Sequence, residues 1–361
     1  MRVLFVHPGP DRTEAALAGG LLDRGIGLAI LTRGRGKRNP LLRGHRVESL
    51  PIHTPWDLPA MWSIRRMVGN GAFDIVHIFN GEACLPTLVA VRGLWKPKVF
   101  LYRGAIVKVS RLSPRDRVRY FGGRVDCFVA SCEAVRKSLV AAGIAPARTV
   151  TVYKGHDPKW YDAEPINLRR RFGISPAAFV AGTVANARKA KGLQYLIRCA
   201  SLLEGSSGKF AIVIVGRDRK GILSTEVRRL EQGSRRERCP VYLAGEIPDG
   251  FRAMRSFDCF VMPSLEGAFG IDKSVVEAMS QRLPVVVTRA AGLPEVVENE
   301  RNGLVIPPGS APAIAEAILR LANEPELRRR MGRAARQTVA ERLTVQRMVD
   351  NTIRTYQRFS G

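Results

Sequence analysis

The stretch 263–279 reads PSLEGAFGIDKSVVEAM, with Glu266 and Glu277 on either side of Gly267, Phe269, Gly270 and Asp272. Glycines let backbone amides approach a phosphate closely. Carboxylates do not bind phosphate; they accept hydrogen bonds from hydroxyls. A second stretch, NARKAKG at 186–192, places Asn186, Arg188 and Lys191 between an apolar run and a helical pattern. That strand-to-helix turn is the usual seat of a phosphate. A third, VVVTRAAGLPEVV at 285–297, sets Gly292 before a helix start near Pro294. Gly9, in HPGP after the first apolar run, occupies a similar turn near the start of the chain. Cations and amides beside carboxylates suit a nucleoside diphosphate carrying a sugar: the former hold the diphosphate, the latter the ribose and sugar hydroxyls. Taken alone, Arg188 and Lys191 also fit ordinary surface cations at a turn.

These turns need elements to hold them. Short apolar runs alternate with helical patterns from the first residue on: RVLFVHP, GLAILTR, FDIVHIF, PKVFLYRG and DCFVASC read as strands, and TEAALAGGLLDRG as a helix with a glycine stop. The pattern restarts after EPINLRRRFG with AFVAGTVA, FAIVIVG, PVYLAGE, DCFVMPS and LPVVVTR. Strands alternating with helices predict βαβ units and parallel sheets covered on both faces. The expected fold class is therefore α/β, with two Rossmann-like, doubly wound domains. Residues 1–163 form the first and 164–339 the second, and a helix at 340–361 packs back on the first. Ligands of such sheets sit outside the carboxyl ends of the strands, which predicts a cleft where the two domains face each other. The GxxxxGK[ST] loop of an ATPase is absent, and GRDRKG after AIVIV is not a GxGxxG dinucleotide fingerprint.

Composition narrows the class further. The 361 residues suit two domains, and 45% are apolar, enough for two cores. No apolar run reaches the ~18 residues of a membrane span, and the first run is too short for a signal peptide, so the chain is expected in the cytoplasm. The six cysteines show no CxxC pair and read as reduced, buried thiols. Net charge is +26. Residues 92–124 hold ten basic side chains against the single acid Asp116, and residues 33–46 hold six and no acid. Such a field attracts polyanions: nucleic acid, anionic lipid or a phosphorylated saccharide.

The composite PSLEGAFGIDKSVVEAMSQRLPVVVTRAAGLPEVV…NGLVIPP resembles the signature of family 4 retaining glycosyltransferases, which have the GT-B fold. TVANARKAKGLQYLI resembles that family's N-x-R-x-x-KG element, and MVDNTIRTYQRF its terminal crossing helix. The resemblance covers 180–361 in motif and 1–160 in architecture. It implies Glu277, in an intact VVEAM, as the ligand of the ribose hydroxyls. Glu266 then contacts the transferred sugar. In the family a shorter spacing separates the two glutamates, and counting back by that spacing from Glu277 lands on Phe269. Asp272 is thus an alternative to Glu266. Where family members place His-Gly after a strand of the first domain, this chain has Arg103-Gly104. An arginine cannot act as a base; it binds an acceptor phosphate or the donor diphosphate. His77, near the end of a strand, either faces the cleft or is a core histidine.

The implied reaction is transfer of a hexose-type sugar from a nucleotide-diphosphate sugar to a glycan or lipid-linked acceptor, with retention. Arg188, Lys191 and Glu266 are the catalytic candidates. Gly9, Asn186, Gly267, Phe269, Gly270, Asp272, Glu277 and Gly292 are the donor-binding ones. Arg103, Lys108, Arg111 and Arg115 would serve the acceptor or an anionic membrane surface. No metal or cofactor is implied, since the nucleotide sugar is a substrate. The basic first half and the segment WDLPAMWSIRRM, with Trp56, Met61 and Trp62 beside Arg65 and Arg66, suggest peripheral attachment to the inner face of the cytoplasmic membrane. They also suggest lipopolysaccharide core or other cell-surface polysaccharide assembly. Three alternatives stand beside this reading: a catalytically weak sugar-nucleotide-binding protein, an epimerase or phosphorylase on the same fold, and a nucleic-acid-binding protein. The last has no RRM, KH or helix-turn-helix pattern to support it, so no nucleic-acid partner is expected.

Overall fold

The computed structural model describes residues 1–7, 9–32, 46–49, 57–79, 81–106, 109–204, 209–218, 220–233, 239–265 and 270–360; of 46, 49, 81, 82 and 229–233 it describes the backbone alone. Two compact units emerge: Met1–Gly155 with Leu343–Gly361, and His156–Arg342.

The first unit is built on a seven-stranded sheet. In chain order its strands are β1 Arg2–Val6, β2 Gly27–Thr32, β3 Arg46–Ser49, β4 Ile75–Ile78, β5 Lys98–Arg103, β6 Cys127–Ala130 and β7 Thr149–Thr151. They pair in parallel in the order β3-β2-β1-β4-β5-β6-β7. Central strands such as VLFV and IVHI are buried on both faces, which is why they read as unbroken apolar runs rather than as alternation. The order reverses at β1 and β4, so the carboxyl ends of these strands form the switch point of the sheet. The helix Arg12–Asp23 follows β1 and starts in a capping box between Asp11 and Glu14. The C-terminal helix Val345–Ser360 packs on it: Arg24 pairs with Asp350 at 3.0 Å, and Gly20 leaves room for Val349. Tyr356 closes this core beneath Phe100.

His77 belongs to that core. It is 1% exposed on β4, stacks on Phe79 with ring centres 4.2 Å apart, and its Nδ1 lies 2.6 Å from the Tyr356 hydroxyl. Burial, with His7 nearby, pushes its pKa down to about 3. The folded pKa lies below the unfolded value of ~6.5, so between the two the unfolded chain binds the extra proton. Stability from this residue is complete above ~6.5 and is lost as pH falls toward about 3. His77→Gln keeps a partner for Tyr356 and removes the titration. Its unfolding free energy between pH 4 and 6 should therefore fall less steeply with acid, by up to ~1.4 kcal/mol per pH unit. Denaturant unfolding at several pH values measures this; an unchanged slope would show that His77 does not carry the effect.

The second unit repeats the plan with six strands. They are β8 Phe179–Val184, β9 Phe210–Val215, β10 Val241–Gly245, β11 Cys259–Met262, β12 Val285–Thr288 and β13 Gly303–Ile306, again all parallel, in the order β10-β9-β8-β11-β12-β13. Here the order reverses between β8 and β11. The core joins Leu196, Ile197 and Leu203 of the helix Leu193–Leu203 to Ile212, Ile214 and Val261 of the sheet and to Ile314 and Ile318 of the helix Ala311–Asn323. The turn Pro158–Tyr161 belongs to this unit because Tyr161 is buried edge-on against Phe251. All six cysteines are buried, free thiols. Among the described residues no helix is long and apolar enough to cross a membrane.

Candidate functional site

At the switch point of the second sheet, β8 ends at Val184 and the chain turns through 185–192 before the helix Leu193–Leu203. Lys189–Lys191 form a single tight turn, and Gly192 adopts φ +63. That left-handed conformation strains any residue with a side chain, and a β-carbon here would collide with the carbonyl oxygen of Pro263. The glycine therefore lets the β8 turn lie directly on the loop after β11. Leu265 N–H donates to the Ala190 carbonyl at 2.8 Å and locks the two together.

The Lys191 ammonium pairs with Asp272 Oδ1. Ser264 Oγ donates to Asp272 Oδ2 at 3.1 Å, and Thr288 Oγ1, at the end of β12, donates to the Ser264 carbonyl at 2.5 Å. Three strand ends thus converge on one carboxylate that is 8% exposed. Asp272 precedes the helix Lys273–Ser280, and Glu277 sits one turn further on, 6% exposed, with Oε1 3.2 Å from Lys273 Nζ. Asn186 Oδ1 accepts the Arg217 N–H at 3.0 Å and so ties the β8 turn to the end of β9.

Together these groups line a recess of about 420 Å³, which Asn186, Arg188, Lys191, Asp272, Lys273 and Glu277 share with the turn Asp249–Phe251 after β10. The volume falls in the range of small-ligand sites. The lining combines the cations Arg188, Lys191 and Lys273 with the carboxylates Asp272 and Glu277, the mixture that a ligand with both phosphates and hydroxyls requires.

Of the sequence-predicted residues, the structure brings the catalytic candidates Arg188 and Lys191 and the donor-binding candidates Asn186, Asp272 and Glu277 around this one recess. Gly270 and Gly292 are joined to each other, with Gly292 N–H donating to the Gly270 carbonyl at 3.3 Å. Glu266, Gly267 and Phe269 lie outside the described residues, as does Lys108. Gly9 belongs to the first unit, where its N–H donates to His7 Nδ1 at 3.0 Å. His7 therefore carries its proton on Nε2, 3.3 Å from Glu14 Oε2. Lys154 lies 2.5 Å from Glu14 Oε1 and 3.2 Å from Asp11 Oδ2. Burial works to raise the Asp11 carboxyl, yet the Lys154 ammonium and hydrogen bonds from Glu14 and Thr13 hold it well below the usual range. This network fixes the turn that bears Gly9. Arg103, Arg111 and Arg115 also belong to the first unit; Arg103 lies over the Tyr120 ring at 5.6 Å, Arg111 over Phe121 at 5.0 Å, and Arg115 is exposed.

Sequence reasoning missed Ser264, Lys273, Ser274 and the Asp249–Phe251 turn. Lys273 carried a readable signal, since it stands four residues before Glu277 on a helical pattern. The others are recognisable only once the strand ends are placed side by side.

Two open parallel sheets, each with its strand order reversing near the middle, are the architecture of a GT-B protein. The solved structure of Anabaena Alr3699/HepE in complex with UDP superposes on it with a TM-score of 0.81, covering 99% of this chain and all of that one at 20% identity. Models of Glycosyltransferase Family 4 and of Glycosyl transferases group 1 match residues 9–160 and 177–324. The D-inositol 3-phosphate glycosyltransferase of Pseudarthrobacter chlorophenolicus is 31% identical over 364 residues, 88% of this chain and 83% of its own length. The chain belongs to glycosyltransferase family 4. The amylovoran biosynthesis glycosyltransferase AmsK of Erwinia amylovora is likewise 31% identical, over 274 residues that make up 73% of this chain and 64% of AmsK. The chain spans about half the length of several other curated relatives it matches.

Proposed function

We propose that the protein is a retaining glycosyltransferase that moves a hexose-type sugar from a nucleotide-diphosphate sugar to a glycan or lipid-linked acceptor in cell-surface polysaccharide assembly. The observation that carries this reading is the recess itself, with Arg188 and Lys191 at the β8 turn and Glu277 on the helix after β11. In this account Glu277 accepts the ribose hydroxyls, and Arg188 and Lys191 face the diphosphate. As the bond to the sugar breaks, negative charge grows on the leaving diphosphate, and these cations meet it without a metal ion. Fixed electrostatics of this kind contribute roughly 10²–10³-fold in rate for one donor group. The complexes of Alr3699/HepE with UDP and UDP-glucose support a nucleotide-sugar donor, and the name of AmsK supports a polysaccharide context. A thermal-shift series of nucleoside diphosphates and their sugars tests the reading, since a ligand bound only by the folded chain raises its midpoint. One base with its sugar should stabilise clearly above the rest. A flat response across all of them would remove it.

The acceptor side carries a second expectation: attachment to the inner face of an anionic membrane, where lipopolysaccharide core assembly takes place. Leu58 and Trp62 of the helix Leu58–Gly71 are 72% and 63% exposed, and Trp95 is 87% exposed. Arg66 lies over the Trp62 ring at 5.4 Å and Lys96 over the Trp95 ring at 5.5 Å, so at each place an exposed apolar group stands beside a cation. Sedimentation with anionic vesicles should be strong at low salt and fade as the Debye length shrinks to ~3 Å near 1 M. Equal binding to neutral and anionic vesicles would contradict it.

A further inference from the structure

A second recess lies in the first unit, away from the switch point of its sheet. It measures about 390 Å³, within the range of small-ligand sites. Its walls are one face of the helix Leu58–Gly71, Glu48 of the edge strand β3, and Arg2 and Phe73 at the amino ends of β1 and β4. The length of β1, about 13 Å, separates Arg2 from the carboxyl edge. The walls are fixed parts. Arg2 N–H donates to Asp74 Oδ2 at 2.7 Å and Asp74 N–H to the Arg2 carbonyl at 2.9 Å, which locks the two strand starts together. The Arg2 guanidinium lies over the Phe73 ring at 5.5 Å. Asp57 caps the helix, its Oδ1 accepting the Ala60 N–H at 3.0 Å, and Arg65 ties it to the Ala90 and Arg92 carbonyls at 3.0 and 2.9 Å. Met61, Ile64 and Val68 are buried beneath it. Trp62, Arg66 and Asn70 recur every four residues and form one exposed ridge along the recess.

This lining joins an indole to two guanidiniums, a carboxylate and a carboxamide. It does not suit a phosphate. The helix ends here at Gly71, and a helix C-terminus carries partial negative charge that adds to that of Glu48. A neutral saccharide fits. A sugar ring has C–H groups on its faces and hydroxyls around its rim. The electron-rich face of an indole attracts such C–H groups. Planar polar side chains meet the hydroxyls: guanidinium and carboxamide N–H groups donate, and carboxylate and carboxamide oxygens accept. Arg66, over the Trp62 ring at 5.4 Å, brings its donors next to the indole. None of these side chains has to be unpaired beforehand, since a guanidinium and a carboxylate each offer several hydrogen-bonding sites.

We infer that this recess is a second saccharide site, which holds neutral sugar units of the acceptor glycan against Trp62. The inference rests on the reading of the acceptor as a glycan and adds the place where that glycan is gripped. Trp62 then serves the glycan, and Leu58 and Trp95 remain for a membrane surface.

The test is saturation-transfer NMR with neutral oligosaccharides of glucose, galactose and mannose at millimolar concentration, with and without uridine diphosphate. At least one of them should bind the wild-type chain saturably, with transfer to its ring C–H protons. Trp62→Ala should raise its dissociation constant by about tenfold or more, and Trp62→Phe by less. Trp95→Ala removes another exposed tryptophan and should leave the binding unchanged. An unaltered unfolding midpoint shows that each variant is folded. No saturable binding of any of the sugars, equal binding by wild type and Trp62→Ala, equal loss in Trp95→Ala, or binding abolished by uridine diphosphate would overturn the site. Loss of anionic-vesicle binding in Trp62→Ala, with no oligosaccharide bound by the wild type, would give Trp62 to the membrane instead and overturn it too. Failure of every nucleoside diphosphate to bind, with Trp62-dependent sugar binding intact, would count against the donor reading and leave this site standing.

Discussion

Lys191→Ala is expected to lower kcat by roughly 10²-fold or more while weakening nucleoside diphosphate binding much less. The ammonium is held at the β8 turn by Gly192, whose conformation no other residue adopts without strain, and by Asp272, itself anchored by Ser264. Held in this way, the cation needs little reorganisation when charge grows on the leaving phosphate, so its contribution appears in the transition state rather than in ground-state binding. The pair with Asp272 adds a second expectation. Both partners are nearly buried, and removing one leaves the other an uncompensated charge. Asp272→Asn should therefore follow Lys191→Ala in kcat, because the ammonium loses its anchor. Steady-state kinetics with the identified donor checks both, and a near-normal kcat in Lys191→Ala would withdraw its catalytic role. Arg188→Ala should fall in the same direction.

The next largest effect is expected in binding. Glu277→Ala should weaken the bare nucleoside diphosphate about ten- to a hundredfold. A charge-assisted hydrogen bond contributes ~1.5–3 kcal/mol, and the ribose hydroxyls are present in every donor-like ligand. Glu277 is positioned for this by the helix Lys273–Ser280, whose first turn supplies Lys273 as its ion-pair partner. Glu266→Ala should leave the bare nucleotide nearly untouched and show its effect only with the complete nucleotide sugar. Asp272→Ala follows that second pattern if Asp272 is the sugar contact. Calorimetry with nucleoside diphosphate and nucleotide sugar, on all three variants, separates the roles. Equal weakening of the bare nucleotide by Glu266→Ala and Glu277→Ala would mean that the two glutamates share one task.

Much of this architecture was readable before any coordinates. The runs VLFV, FAIVIV and VVVT are legible because a strand buried on both faces has no polar alternation to interrupt it. Helix Arg12–Asp23 is legible because Asp11 and Glu14 form its cap and Gly25 follows its end. The short strands β3 and β7 escaped notice. Four residues, RVES, and three, TVT, at the two edges of the sheet are too brief and too polar to set a period. In the site, Arg188, Lys191 and Glu277 announced themselves by residue type and position in a turn or helix. That Asp272 binds Lys191 did not, because the two are 81 residues apart and meet only where β8 and β11 lie side by side. His77 had two readings in the sequence; Tyr356, far along the chain, decides for the core. The basic run at 92–124 gave the sign of the charge but not that Arg124 is held by the carbonyls of Val91 and Pro97 and by Asp126, since that depends on how distant turns meet.

The central claim is that this chain breaks and remakes the anomeric bond of a nucleotide sugar with retention. The most direct measurement follows that bond. The protein, incubated with the nucleotide sugar that stabilises it most, is monitored by proton NMR for the first sugar released to water or to an acceptor. The account predicts an α-linked donor giving an α-configured first product, with the signal lost in Lys191→Ala. A β-configured first product would contradict retention, and full release by Lys191→Ala would contradict the site.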